Sequence, residues 1–421
     1  MADRAIEPQY IDSIDREADG DLAMQRADER KRRFTASMDL YLVLTTGILI
    51  AIGMMMVWST TFYWADPQSA LFLQQARNVL IGTVALVGFA VIDYRIWRRL
   101  SVVLMVLLIL LLLGLLVLPG IQVVFGAKRA YFEGAVQPSE IAALVVIIYM
   151  AAWLASKQTK IRSITYGLLP FALLVGTVAG LILMQPDVDP AALILITATT
   201  MFLLAGADWV QLGIIVLAFV VAGIIAVAQF SYARERWDDF VSLLRDPVTS
   251  SADHSQNVII SFLNGGLTGV GLGESRQKFQ YLQAPHTDSI FAVIGEELGL
   301  IGCAFVVGLY VTFMLRGFRI ARNAPDLYGA LLASGITCSI VIKAMFNIAV
   351  MASVVPFAGV PLPFISFGGS SLTAAMAGVG LLLSISRASL KNPAPTRKIN
   401  EVLTIPGVRG AISRVRQTPA E

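Results

Sequence analysis

With 421 residues, 56% hydrophobic and 14% charged, the chain is too apolar for a soluble globular protein, in which about a quarter of residues are charged. Apolar runs of about twenty residues recur, so the expected class is an all-α polytopic membrane protein. A formal net charge of +3 is too small to argue for nucleic acid, and both cysteines, Cys303 and Cys338, fall in apolar runs, which speaks against a disulfide framework.

Residues 1–38 are polar and mixed in charge and lack the pattern of a cleaved signal peptide. They read as a cytoplasmic N-terminal tail, and the first apolar run as an uncleaved anchor. Ten spans are expected, at 39–61, 71–93, 100–118, 138–155, 165–184, 190–206, 209–229, 289–315, 327–350 and 368–386. Between the fifth and sixth, "MQPDVDPAA" breaks what could pass for one long span. Pro186 cannot continue a helix, Asp189 can cap the next, and Pro190 fits its first position. The membrane domain is thus 39–387, followed by a cytoplasmic tail at 388–421 that contains proline and arginine without apolar periodicity.

Lysine and arginine set the orientation. "RADERKRR", "YRIWRR", "SKQTKIR", "RGFRIAR" and "RASLKNPAPTRK" all fall on one side of a ten-span chain, which the positive-inside rule makes cytoplasmic for both termini. The outer side then holds 126–140, 185–190, the large loop 230–288 between helices seven and eight, and 357–371. Within the large loop, Trp237, Phe240, Val241 and Leu244 of "RWDDFVSLLRD" fall at helical spacing, which predicts a short amphipathic helix at the membrane surface. "NGGLTGVGLGESRQK" follows as a glycine-rich turn leading to basic residues. It follows no strand, so it is not a nucleotide loop.

Four outer segments carry helix-start signals: "QPSE", "DVDP", "HTD" and "FGGSS". Capping by Thr287, Asp189 and Ser370 is one reading of them. The other is a ligand site, because Lys128, Arg129, Arg276, Lys278 and His286 share the same loops. Helix N-termini with free N–H donors beside cations suit a pyrophosphate. The expected substrate-binding set is Arg129, Lys278, His286, Glu140, Asp187, Ser370 and Ser371. Asp288, at a helix mouth, is either an acid favoured by the helix dipole or a general base for a hydroxyl. Glu296 and Glu297 lie about eight residues deeper, or ~12 Å along a helix. They are expected to face the bundle and to form a buried network with Lys343 and Asn347, with Lys343 as their ion-pair partner. With only two histidines, His254 and His286, a structural zinc site is not expected. A divalent cation such as Mg²⁺ or Mn²⁺, held by Asp288 and a substrate pyrophosphate, remains compatible.

The stretches "VQPSEIA", "MQPDVDPA", "NGGLTGVGLGESRQKFQYL", "HTDSIFAVIGEELGLIG" and "GVPLPFISFGGSSL" resemble the FtsW/RodA/SpoVE (SEDS) family in order and spacing. The resemblance spans nearly all ten helices and leans weakly toward the FtsW branch. It implies a peptidoglycan glycosyltransferase of the bacterial inner membrane that polymerises lipid II on the outer face, donor glycans being linked to undecaprenyl pyrophosphate. It also implies a class B penicillin-binding protein as transpeptidase partner, with other division or elongation proteins. The acid of the "HTD" motif is the family's catalytic carboxylate and maps onto Asp288. The family's loop cation maps onto Arg129 and its lysine before "YLP" onto Lys278. The chain departs from the pattern at Ala130, at Ala143 (usually lysine), in "PDVDPA" and "YLQA", at Ser289, and at Lys343, more often glutamine. The departures read either as a relocated positive charge or as an impaired enzyme that only scaffolds the transpeptidase. A lipid II translocase, with Glu296, Glu297 and Lys343 along one path, is a further alternative.

Overall fold

The computed structural model describes residues 39–61, 68–117, 137–245, 253–279 and 281–391. All regular structure among them is helical. The helices are α1 (Leu40–Thr61), α2 (Gln68–Val91), α3 (Tyr94–Val117), α4 (Pro138–Lys157), α5 (Leu169–Leu183), α6 (Val188–Leu204), α7 (Trp209–Gln229), α8 (Ser231–Arg245), α9 (Asp253–Gly265), α10 (Ile290–Asn323), α11 (Leu327–Met351) and α12 (Gly369–Lys391). A 3₁₀ turn, Gln158–Arg162, and a π turn, Ile164–Leu168, lead into α5. Helices thus stand at all ten expected positions. Among the described residues nine are long and apolar enough to cross a membrane, and α6, with 17 residues, is shorter.

Packing sorts the helices into centre and periphery. In α11 and α12 67% of the apolar stretch is buried, against 11% in α7. Val216, Leu217, Val220 and Ile224 of α7 are exposed, an apolar face suited to lipid. The most extensive pairing is α12 on α2. Glycines permit it: a Cβ on Gly380 would stand 2.4 Å from Leu86 O, and one on Gly82 2.4 Å from Met376 Sδ. α11 packs on α4, α6 and α10 and forms the middle of the bundle.

α10 is broken. Gly299 has φ 67° and ψ −169° inside it, a conformation open chiefly to glycine. A break in a helix leaves carbonyls and amides unpaired, and the glycine-rich segment after α9 meets them. Val270 N and Gly271 N donate to Glu296 O and Glu297 O (3.0 and 3.1 Å), while Leu300 N and Ile301 N donate to Gly266 O and Leu267 O (3.0 and 3.2 Å). The turn read from the sequence is therefore a segment docked on α10 at the depth of its kink. Close approach needs glycine here, since a Cβ on Gly269 would lie 2.1 Å from Glu297 O.

The amphipathic helix of the large loop is present as α8, with a different inner face from the one expected. Leu243 is buried, while Trp237 and Leu244 are exposed. The tails, Lys128 and Arg129 lie outside the described residues.

Orientation can be tested with single cysteines. Ser275 is fully buried and would not report accessibility, whereas Asp238 on α8 and Asn323 at the far end of α10 are exposed. With both termini cytoplasmic, Asp238→Cys reacts with an impermeant thiol reagent on intact spheroplasts and Asn323→Cys does not. The reverse labelling would turn the site to the cytoplasm.

Candidate active site

The starts of α4, α6, α10 and α12 meet around one cavity of about 390 Å³. Its polar wall comes from Arg77 and Asn78 of α2, Glu140 of α4, Asp187 before α6, Asp288 before α10, Lys343 of α11, and Ser370 and Ser371 of α12. Simple capping does not account for these residues. Neither Asp187 nor Ser289 caps its helix through a side-chain hydrogen bond. Thr287 Oγ1 donates to Ala284 O (3.3 Å), and Ser370 Oγ accepts from Gln137 N (3.0 Å), at the start of a different helix. The polar groups tie one helix start to another, and the first residues of α12, Gly369, Ser370 and Ser371, line the cavity.

Asp288 is held by its backbone. Asn347 Nδ2 donates to Asp288 O (2.8 Å) and to Val360 O (2.6 Å). Among the described residues the Asp288 carboxylate itself makes no hydrogen bond or ion pair. Burial first, then the Asp189 carboxylate and more weakly that of Glu140, pushes its pKa up to about 6, against the lowering pull of Lys343 and Arg236. A carboxyl with that affinity, free in a cavity, can exchange a proton near neutral pH.

Lys343 does not pair with Glu296 or Glu297, contrary to the sequence-based expectation. Its Nζ lies 2.6 and 2.7 Å from the Glu140 carboxylate oxygens and 2.9 Å from Ser371 Oγ. Sequence spacing had placed the lysine one helix from the glutamates; rotation of α11 turns it to α4 instead. Ala143, one turn below Glu140, also lines the cavity and leaves the space that the Lys343 side chain enters from the opposite wall.

The partner of Glu297 is Lys278. Its Nζ reaches Glu297 Oε1 (2.9 Å), Gly273 O (2.6 Å) and Ser59 Oγ (3.2 Å), and both charged side chains are fully buried. Lys278 therefore stands outside the cavity wall and is a structural cation rather than a substrate contact. Glu296 is satisfied by the docked loop, accepting from Ser275 Oγ (2.5 Å), Arg276 N (3.1 Å), Gln277 N (3.3 Å) and Asn264 Nδ2 (3.4 Å). The four members of the expected single network thus have separate partners: Glu140 for Lys343, Lys278 for Glu297, the docked loop for Glu296, and the Asp288 and Val360 carbonyls for Asn347.

His286 is also displaced from its expected role. Its ring packs edge-on against Phe367, burial lowers its basicity, and it does not line the cavity. Arg129 lies outside the described residues. Glu140, Asp187, Ser370 and Ser371 do line the cavity. Sequence reasoning missed Arg77. Gln74, Arg77 and Asn78 recur at helical spacing in an otherwise apolar span, a polar stripe that marks a wet face. Arg236, whose guanidinium contacts Asp189, was read only as part of a surface helix.

Fold and site together define a multi-pass membrane protein with a polar cavity sunk among helix starts and, among the described residues, one unpartnered carboxylate in its wall. The chain belongs to the FtsW/RodA/SpoVE family, described as "Cell cycle protein", which matches residues 39–391. It is 39% identical over 363 residues to stage V sporulation protein E of Bacillus subtilis, covering 84% of this chain and 98% of that one. It is 37% identical over 374 residues to a probable peptidoglycan glycosyltransferase FtsW of Trichlorobacter lovleyi, covering 86% and 96%. Among solved structures, it resembles a chain of a peptidoglycan synthase complex (TM-score 0.68, 27% identity, 84% and 98% covered). It also resembles the rod shape determining protein RodA of Thermus thermophilus (TM-score 0.61, 25% identity, 83% and 97% covered).

Removing one partner of the buried pair leaves a charge without compensation, at a cost of about 3–5 kcal/mol. Lys278→Met and Glu297→Gln should each lower thermal stability in detergent and couple strongly in a double-mutant cycle. Lys343→Gln paired with Glu297→Gln should be additive, because the two residues share no contact. Coupling in the second cycle and additivity in the first would reverse the assignment of partners.

Proposed function

We propose that this protein is a peptidoglycan glycosyltransferase that polymerises lipid II at the outer face of the bacterial inner membrane, with Asp288 as general base. The observation that carries the assignment is the state of the cavity's acids. Glu140 is neutralised by Lys343, and Asp187 accepts from Ser139 Oγ (3.4 Å). Asp288 alone lines the cavity with a carboxylate that has no hydrogen-bond or ion-pair partner among the described residues.

In the reaction, the acceptor hydroxyl attacks the anomeric carbon of the donor sugar. Its proton passes to Asp288, the bond from that carbon to the lipid pyrophosphate breaks, and the pyrophosphate departs with the electron pair. Charge grows on the leaving group, so stabilisation belongs there. Arg77 and Lys343 are the basic side chains lining the cavity, and the N–H groups at the start of α12 add donors suited to phosphate oxygens. Among the described residues no group of three or more His, Cys, Asp or Glu could hold a metal ion. A divalent cation in the cavity would therefore take its ligands chiefly from the substrate pyrophosphate and water.

The relative from a peptidoglycan synthase complex supports a class B penicillin-binding protein as the partner that cross-links the product. The translocase alternative needs Glu296 and Glu297 on the same path as Lys343; only Lys343 lines the cavity, which weighs against it.

Purified Asp288→Asn should insert and fold as the parent does and yield no polymer from purified lipid II. Full polymer yield from it would remove Asp288 from the chemistry. In the parent protein the rate should fall as pH drops through about 6, where Asp288 takes up its proton and the base is lost. A rate unchanged well below that value would also contradict the assignment.

A further inference from the structure

Behind the cavity wall, groups that the mechanism above does not use converge on Asp288. Arg236 of α8 sets its Nη1 3.3 and 3.1 Å from the two carboxylate oxygens of Asp189 in the first turn of α6. Gly359 N donates to the same carboxylate (3.0 Å). Gly359 also separates Asp189 from Asp288. The point where a Cβ would stand on it lies 3.1 Å from Asp288 Oδ2 and 3.7 Å from Asp189 Oδ2. Two carboxylates therefore face each other across one glycine. The Arg236 guanidinium is held in place by lying 5.1 Å over the ring of Phe357, which packs edge-on against His254 of α9.

Like charges this close oppose each other's ionisation, and a partly desolvated site strengthens the effect. Asp189 has a counter-ion, whereas Asp288 has none in contact. The other charged groups that face Asp288 are Glu140 of α4 and Lys343 of α11, which form their own ion pair; Lys343 favours the Asp288 carboxylate more than Arg236 does, and Glu140 opposes it least. Asp189 is the carboxylate that opposes ionisation of Asp288 most, and Arg236 is its counter-ion. Neither of these two residues lines the cavity, so any effect on the reaction must pass through Asp288.

We infer that Arg236 is a positioning residue for the transfer reaction: by neutralising Asp189 from outside the cavity, it keeps Asp288 in the carboxylate form that a base requires. The inference rests on the reading of Asp288 as base. It also ties the catalytic carboxylate to α8, since the helix carries the counter-charge only while it is docked on the start of α6.

The test is the pH dependence of lipid II polymerisation by purified protein, compared among the parent, Arg236→Gln, Arg236→Lys, Asp189→Asn and the Arg236→Gln/Asp189→Asn pair. Arg236→Gln should move the acid limb upward by about one pH unit, a tenfold loss of rate on that limb, with the rate recovering well above neutral pH. Arg236→Lys, which keeps the charge, should restore most of the parent profile. Asp189→Asn should move the limb downward, and the double variant should return it close to the parent. A uniform loss at every pH with the limb unmoved would make Arg236 a structural contact and overturn the inference. If Arg236→Gln does not fold, Asp189→Asn decides alone, and an unmoved limb overturns the inference. Polymer from Asp288→Asn is a separate result: it would remove the base itself, and the role of Arg236 with it.

Discussion

A charged side chain among membrane helices costs several kcal/mol unless an opposite charge or a set of hydrogen bonds meets it. In this bundle Lys278 and Glu297 meet each other with no exposure at all. Lys343 and Glu140 do so at the cavity wall, and Glu296 is met by two backbone amides and two side chains. Each pairing joins elements distant in sequence, so satisfying the charges also fixes how the helices sit. The Asp288 carboxylate stands apart from this pattern. Its backbone is pinned by Asn347, while its carboxylate has no hydrogen-bond or ion-pair partner among the described residues.

The same rule governs the backbone. The break at Gly299 would strand carbonyls and amides inside the bundle, and the segment after α9 supplies their partners. That docking carries Ser275 to Glu296 and Lys278 to Glu297. A glycine-rich stretch that looks like a surface turn is in this way a structural wedge, and the first turns of α10, which follow Asp288, are braced by it.

The sites at Ala143 and Lys343 belong together. Both line the cavity, on α4 and α11. A small side chain at 143 leaves room beside Glu140, and the lysine at 343 fills it with the positive charge that Glu140 needs. The geometry favours a charge entering from the opposite wall over an uncompensated acid. It leaves the polar character of the cavity intact where the sequence departs from the family pattern.

The ten spans, the break at Pro186 and the gathering of helix starts were legible in the sequence, because hydropathy and helix-terminus chemistry are local. So was the place of Asp288 at a helix mouth, where the structure sets it in the cavity wall. Pairing was not legible. Lys278 sat in a loop among other cations and read as a phosphate ligand, and Lys343 sat in a span near two acids and read as their partner. The structure pairs Lys278 with Glu297 and Lys343 with Glu140 instead, because a partner is chosen by helix rotation and by a loop docking at a kink, neither of which has a period in the sequence. Arg236 shows the same limit: its spacing marks only a surface helix, and its meaning comes from Asp189 and Gly359, which lie 47 residues before it and far after it in the chain. Local chemistry determines which segments become helices and which residues can bear charge. Tertiary contact alone decides which charges cancel and which one is left without a partner among the described residues.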